Sequence, residues 1–214
     1  MKYVVCILIG YLLGSISLAA LFSKLTNVNL RKSGTGNLGA TNVFLILGKS
    51  YGVFVMLFDI AKAFAAAKIA QHIVPDLEYA GMLAGLGAVI GHIFPFYMKF
   101  KGGKGLAAFG GMILASDPMI FLILLVIGLI LMLIFNYSVA MPMSAAVLFP
   151  ILLWSRSKSI MCLLLSIAAG ALIAVKHAGN ITKARQGTDV KIREYLKTNF
   201  SLKDDPEENE TDNL

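Results

Sequence analysis

The sequence predicts an all-α integral membrane protein of about seven transmembrane helices, with its N-terminus outside and its C-terminus cytoplasmic. Three observations carry this. Apolar residues make up 57% of the chain and charged residues only 14%, against about 25% charged in soluble domains. Long apolar runs recur, such as Tyr3 to Phe22, Met119 to Phe135, Val139 to Trp154 and Ile160 to Val175. Finally, the basic residues collect in particular connecting segments.

The spans are expected at 3–23, 51–70, 79–98, 106–117, 119–136, 139–155 and 160–176. The first run is long for a cleavable signal, and its Gly10 and Gly14 have the spacing of a helix-packing face. The following segment carries Lys24, Arg31, Lys32 and Lys49 and no acid, which places it in the cytoplasm. The second span contains Asp59 and Lys62, three residues apart and expected to form a structural ion pair. Alternation then puts Asp76 and Glu78 outside, and Lys99, Lys101 and Lys104 inside. The third span is studded with Gly81, Gly85, Gly87 and Gly91, which suit close helix packing, whereas the fourth is short and rich in Gly. Arg156 and Lys158 are the misfit, because they fall outside. After the last span, Lys183, Arg185, Lys191 and Arg193 lie inside.

Residues 1–200 are read as a single transmembrane domain. Residues 201–214 carry six acids and one lysine and are expected to be a disordered acidic tail. The net charge of +7 is therefore concentrated upstream, on segments that would face anionic headgroups or an anionic substrate. No basic run interleaves with aromatics as nucleic-acid binding would need, so nucleic acid is not an expected partner. Cys6 and Cys162 both sit in apolar runs and read as inert core residues. Three histidines and no acidic cluster give no metal-ligand spacing, and no cofactor is expected.

Three polar segments interrupt this apolar chain. Ser33-Gly-Thr-Gly-Asn-Leu-Gly-Ala-Thr-Asn42 has the glycine spacing of a dinucleotide loop, but it follows a transmembrane helix rather than a strand. What survives is the physics: Gly34 and Gly36 permit close backbone approach, and successive N–H groups can cradle an anion. Ser33, Thr35, Asn37, Thr41 and Asn42 add short hydrogen-bonding side chains. The alternative is a plain linker, for which five such side chains in ten residues is too much polarity. The second segment runs from Gly91 and His92 to Lys101, Gly102, Gly103, Lys104 and Gly105. Flexible donors beside ammonium groups suit a phosphate, although topology and headgroup contact would also explain the lysines. A lone His92 at a span's end is more often a packing residue than a catalyst. In the third segment His177 and Asn180 share a face if the last helix continues past residue 176, fitting proton shuttling and polarisation of an oxygen. By composition alone this is equally a basic helix end.

These segments, in this order, resemble the bacterial acyl-phosphate:glycerol-3-phosphate acyltransferases, the PlsY family. The resemblance rests on Ser33 to Asn42, on Gly91-His-Ile-Phe-Pro with Phe100-Lys-Gly-Gly-Lys-Gly105, and on His177 with Asn180-Ile181 and Gly187-Thr188. It covers residues 3–195. It implies seven transmembrane helices in the bacterial cell (inner) membrane, multi-pass, with the active site on the cytoplasmic face. It implies transfer of a fatty acyl group from acyl phosphate to the 1-hydroxyl of glycerol 3-phosphate, giving lysophosphatidic acid and phosphate without a cofactor. Acyl phosphate, glycerol 3-phosphate and the lipid bilayer would be the partners. Lys104, His177 and Asn180 would be catalytic. Ser33, Gly34, Thr35, Gly36, Asn37, Thr41, Asn42, His92, Lys101, Gly102, Gly103 and Gly105 would bind substrate phosphates. Oligomeric state is left open, a monomer being compatible.

The chain departs from the family at several points. The family's Arg three residues after Asn42 is Leu45, its Asp-x-x-Lys-Gly ends in Ala63, and its Arg before the histidine is Lys176. The charged residues usual after that histidine are Ala178 and Gly179, its Arg-Leu pair is Lys183-Ala184, and its Glu is Asp189. Losing a charged hydrogen bond to phosphate costs about 1.5–3 kcal/mol, so Leu45 bears on acceptor affinity. Two other readings are a divergent paralogue, with an altered acceptor or no catalysis, and a transporter for an organic anion. The second needs charge aligned through the membrane. Apart from Asp117 and Lys176 at span ends, only Asp59, Lys62 and Lys68 lie within spans, all in one helix.

Overall fold

A computed structural model describes residues 1–188, 191 and 193. The expected acidic tail and Asp189 lie outside these. The helices are α1 (Lys2–Ser15), α2 (Leu18–Leu25), α3 (Ala40–Leu47), α4 (Lys49–Ile73), α5 (Ala80–Ile93), α6 (Leu106–Ser116), α7 (Pro118–Phe135), α8 (Ala140–Ser157) and α9 (Ile160–Arg185). A 3-10 turn, Phe96–Met98, follows α5. Among the described residues there is no strand, only an isolated bridge between Tyr137 and Lys191.

Four stretches are long and apolar enough to cross a membrane: Lys2–Leu25, Ala80–Met98, Pro118–Phe135 and Ile160–Arg185. α6 is apolar but shorter. α4, at 25 residues, reaches about 37 Å, ample for a bilayer, while carrying Asp59, Lys62 and Lys68 within it. α7 turns Val126, Ile130 and Leu133 outward, as a lipid-facing helix does.

The first expected span is broken between α1 and α2. Ile16 is extended, and Ser17 restarts the helix by accepting the Ala20 N–H at 3.2 Å. A break in an apolar helix frees backbone groups that need partners. Here side chains supply them. The Tyr97 hydroxyl donates to the Ser15 carbonyl (2.8 Å) and accepts the Ser17 N–H (3.1 Å), and Lys62 donates to the Ile16 carbonyl (2.6 Å). α6 and α7 are separated by Asp117, whose carboxylate caps α7 through the Met119 and Ile120 N–H groups, with Pro118 in the first turn.

α1 lies against α5 through small residues, as the glycine spacing predicts. A Cβ on Gly10 would stand 2.0 Å from the Ala84 carbonyl oxygen, and one on Gly91 2.2 Å from that of Tyr11. The backbones therefore touch, which only glycine permits. The main core joins α4, α5, α6, α7, α8 and α9 around Phe109 and Phe149, whose rings meet edge to face at 5.5 Å. Cys6 and Cys162 are buried and free, as expected.

Candidate active site

α5 ends at Ile93, leaving the carbonyls of its last turn without helical partners. The chain turns through the 3-10 segment and passes two left-handed residues, Lys99 (φ 54°) and Phe100 (φ 56°). It then returns along the end of α5. The Gly102 N–H donates to the Ile93 carbonyl (2.9 Å) and the Gly103 N–H to the His92 carbonyl (3.1 Å). This approach requires glycine. A Cβ on Gly102 would sit 2.0 Å from the His92 carbonyl oxygen, and one on Gly103 2.2 Å from His92 Nε2 and 2.8 Å from the Leu38 carbonyl oxygen. Lys104 follows directly, and Gly105 (φ 89°) starts α6.

α9 continues to Arg185, nine residues beyond the expected end, so His177 and Asn180 do lie on one helical face. Lys104 Nζ donates to Asn180 Oδ1, joining the second and third polar segments across 76 residues. Ile173, a turn before His177, packs beside Gly105. His177 is buried, and its Nδ1 lies 2.9 Å from the Ile173 carbonyl oxygen. A carbonyl only accepts, so Nδ1 carries the hydrogen. In the neutral ring Nε2 is then left with a lone pair. Lys176 stacks on the Phe94 ring at 4.3 Å, a cation–π contact that anchors α9 over the end of α5.

The first polar segment forms a turn rather than an extended linker. Gly34 and Gly36 are left-handed, at φ 57° and 71°. The Gly36 N–H donates to the Ser33 carbonyl at 3.0 Å. Asn42 is fully buried on α3, a helix that composition did not foretell. Its amide donates to the Leu30 carbonyl (2.8 Å) and accepts the Thr35 N–H (2.7 Å). Expected as a phosphate contact, Asn42 instead spends both polar atoms bracing the loop. Leu38 brings the segment against Gly103, so the three segments converge there. Thr35 and Thr41 are exposed, while Ser33 and Asn37 are half-buried. Arg31, whose guanidinium donates to the Lys101 carbonyl, clamps the first loop to the second. Leu45 is half-buried on α3.

His92 is also placed differently from the expected phosphate contact. It is buried with Asp59 and Lys62: Lys62 Nζ is 2.6 Å from Asp59 Oδ1 and 3.2 Å from His92 Nδ1, and His92 Nδ1 is 3.3 Å from Asp59 Oδ1. The Asp59–Lys62 pair follows from the sequence. The third member does not, since the spacing between residues 62 and 92 carries no local signal. Among the described residues, no group of three or more His, Cys, Asp or Glu side chains could hold a metal ion.

The glycerol-3-phosphate acyltransferase family profile matches residues 4–187. The chain belongs to that family. A glycerol-3-phosphate acyltransferase of Macrococcus caseolyticus is 38% identical over 197 residues, covering 90% of this chain and 98% of the relative. One of Aquifex aeolicus is 35% identical over 189 residues, covering 88% and 98%. A crystal structure of PlsY (YgiH), an integral membrane glycerol 3-phosphate acyltransferase in its glycerol 3-phosphate form, superposes with a TM-score of 0.84 at 33% identity. It covers 92% of this chain and 99% of that one. Its lysophosphatidic acid form gives 0.82 at 32% identity, with the same coverage. Relatives this similar along nearly the whole length make an acyltransferase the plain reading of the chain and leave a transporter without support.

Proposed function

We propose that this acyltransferase moves a fatty acyl group from acyl phosphate to the 1-hydroxyl of glycerol 3-phosphate at the Lys104–His177–Asn180 cluster. The observation that carries it is the Lys104–Asn180 contact beside His177, formed where the three polar segments converge. Its relatives include a structure with glycerol 3-phosphate and another with lysophosphatidic acid, an acceptor and a product that fit this reaction.

The chemistry follows from the groups present. Acyl phosphate is a mixed anhydride with a good leaving group, so the site needs positioning and charge stabilisation more than a protein nucleophile. The acceptor hydroxyl oxygen bonds to the acyl carbon. The tetrahedral oxyanion collapses, and the carbon–oxygen bond to phosphate breaks. The Lys104 ammonium neutralises phosphate charge through that change. Asn180, with its Oδ1 held by Lys104, presents its amide N–H₂ to an oxygen of the reacting groups. The hydroxyl proton leaves to His177 Nε2 or to a substrate phosphate oxygen, and ends on the released phosphate. The N–H groups of the Ser33–Gly36 turn and of the Lys101–Gly105 loop supply further anion contacts, with Lys101 adding charge.

The topology supporting this is seven crossings, counting α1 with α2 as one and α4, α5, α6, α7, α8 and α9 as the others. The N-terminus is outside, and the cluster faces the cytoplasm of a bacterial cell, within a single domain over residues 1–200. The basic segments Lys24 to Lys49 and Lys99 to Lys104 favour this orientation. A cysteine placed at exposed Lys99 tests it. Labelling by a membrane-impermeant thiol reagent from inverted vesicles alone supports a cytoplasmic site, and labelling of intact cells reverses it. Activity is tested by Lys104→Ala and Asn180→Ala, each expected to reduce turnover by about 10²–10³-fold. Intact turnover in both would remove the cluster from the reaction.

A further inference from the structure

Asp59 and Lys62 play no part in the chemistry above, yet they are buried ions in the apolar part of α4. Burying such a pair is costly and is a weak source of stability, so its retention calls for another reason. We infer that Asp59 and Lys62 are positioning residues that fix the Lys104 ammonium through His92. This rests on the assignment of Lys104 to the site.

The chain of contacts is continuous. Asp59 holds the Lys62 ammonium at 2.6 Å, and that ammonium also donates to the Ile16 carbonyl at the α1–α2 break. Its remaining hydrogen faces His92 Nδ1 at 3.2 Å. The same nitrogen is 3.3 Å from Asp59 Oδ1, so the ion pair engages the neutral ring at Nδ1 in either tautomer. The cluster then holds one negative and one positive charge and no net charge, which suits its burial. The ring is thereby oriented with Nε2 under Gly103, where a single Cβ would collide with it. The carbonyl of the same His92 accepts the Gly103 N–H. Residue 92 therefore contacts Gly103 by ring and backbone together, and the next residue along is Lys104. α4, α5 and the α1–α2 break meet in one cluster whose output is the height and tilt of that loop.

Loosening the cluster misplaces Lys104 without touching substrate. Asp59→Asn should lower kcat by about 10²-fold, the cost of an ångström-scale misplacement, with a smaller change in KM for acyl phosphate. In a Lys104→Ala background the same substitution should change the residual rate less than about twofold, because the group being positioned is gone. His92→Asn, whose side-chain amide takes the place of Nδ1 and so keeps the Asp59–Lys62 pair with an acceptor for Lys62, goes through the same cycle and decides the matter if Asp59→Asn does not fold. An unchanged kcat, or an equal loss in both backgrounds, would overturn the positioning role while leaving Lys104 in the site. A neutral Lys104→Ala would instead remove Lys104 itself.

Discussion

Adding one methyl group at Gly103 tests how tightly the second loop must sit. A Cβ there would stand 2.2 Å from His92 Nε2 and 2.8 Å from the Leu38 carbonyl oxygen, whereas ordinary contact begins near 3.4 Å. The loop must lift by about 1 Å, because one obstacle is backbone and the other a ring held by Lys62. Overpacking of this kind costs about 1–3 kcal/mol, within the stability of a folded protein. The lift lengthens the Gly103–His92 hydrogen bond and carries Lys104 with it, and an ångström at a reacting centre costs about 10²-fold in rate. Gly103→Ala is therefore expected to stay folded, with a lowered melting temperature, and to lose roughly 10²-fold in kcat. The assay is phosphate release from palmitoyl phosphate by the purified protein with glycerol 3-phosphate, alongside thermal unfolding in the same detergent. A Gly103→Ala protein with unaltered kcat would refute the reasoning, since the geometry leaves no space for the methyl group.

Other expectations follow from the same contacts. Asn42→Ala strands the buried Leu30 carbonyl and frees the Thr35 N–H that braces the loop, so a loss of about 1–3 kcal/mol is expected, read as a drop in melting temperature with raised KM. His177→Asn should depress turnover while leaving melting close to wild type, because the Asn amide N–H takes the place of Nδ1 in the bond to the Ile173 carbonyl and nothing replaces Nε2; unchanged turnover would leave the substrate phosphate as the base. Leu45→Arg restores the charge usual in the family and is expected to lower KM for glycerol 3-phosphate by about 10-fold, as a charged hydrogen bond implies; an unchanged KM would place residue 45 away from the acceptor. The hydrogen bond from Lys2 holds the Asp76 carboxyl below its ordinary 3.8. Its contribution is therefore present above that value and is lost as pH falls through the folded value, so Asp76→Asn should flatten the acid side of the melting-temperature profile.

The sequence carried much of this fold because lipid imposes a simple rule. Each apolar run found its helix, and the α1–α5 contact through Gly10, Gly14, Gly87 and Gly91 was written in residue spacing. The break at Ile16–Ser17 was not legible, because its partners Tyr97 and Lys62 come from distant helices. α3 was hidden within a segment read for its polarity. For the site, glycine and lysine spacing located the first two segments and the His177–Asn180 spacing the third, but spacing cannot show which polar atoms are already engaged. Asn42 and His92 both read as ligand contacts until their tertiary partners, Leu30 and Thr35 for one and Lys62 for the other, were in place. Lys104 and Asn180, 76 residues apart, could be paired only by folding the chain.

The most direct test of the central claim is product formation. The purified protein, in detergent or a lipid mesophase, is given palmitoyl phosphate with and without glycerol 3-phosphate, and lipid products are identified by mass spectrometry. Phosphate release that depends on glycerol 3-phosphate and yields lysophosphatidic acid is the predicted result, and would make Leu45 a tolerated change. No release from a protein shown to be folded would contradict the account and point to a family member with another acceptor or without catalysis.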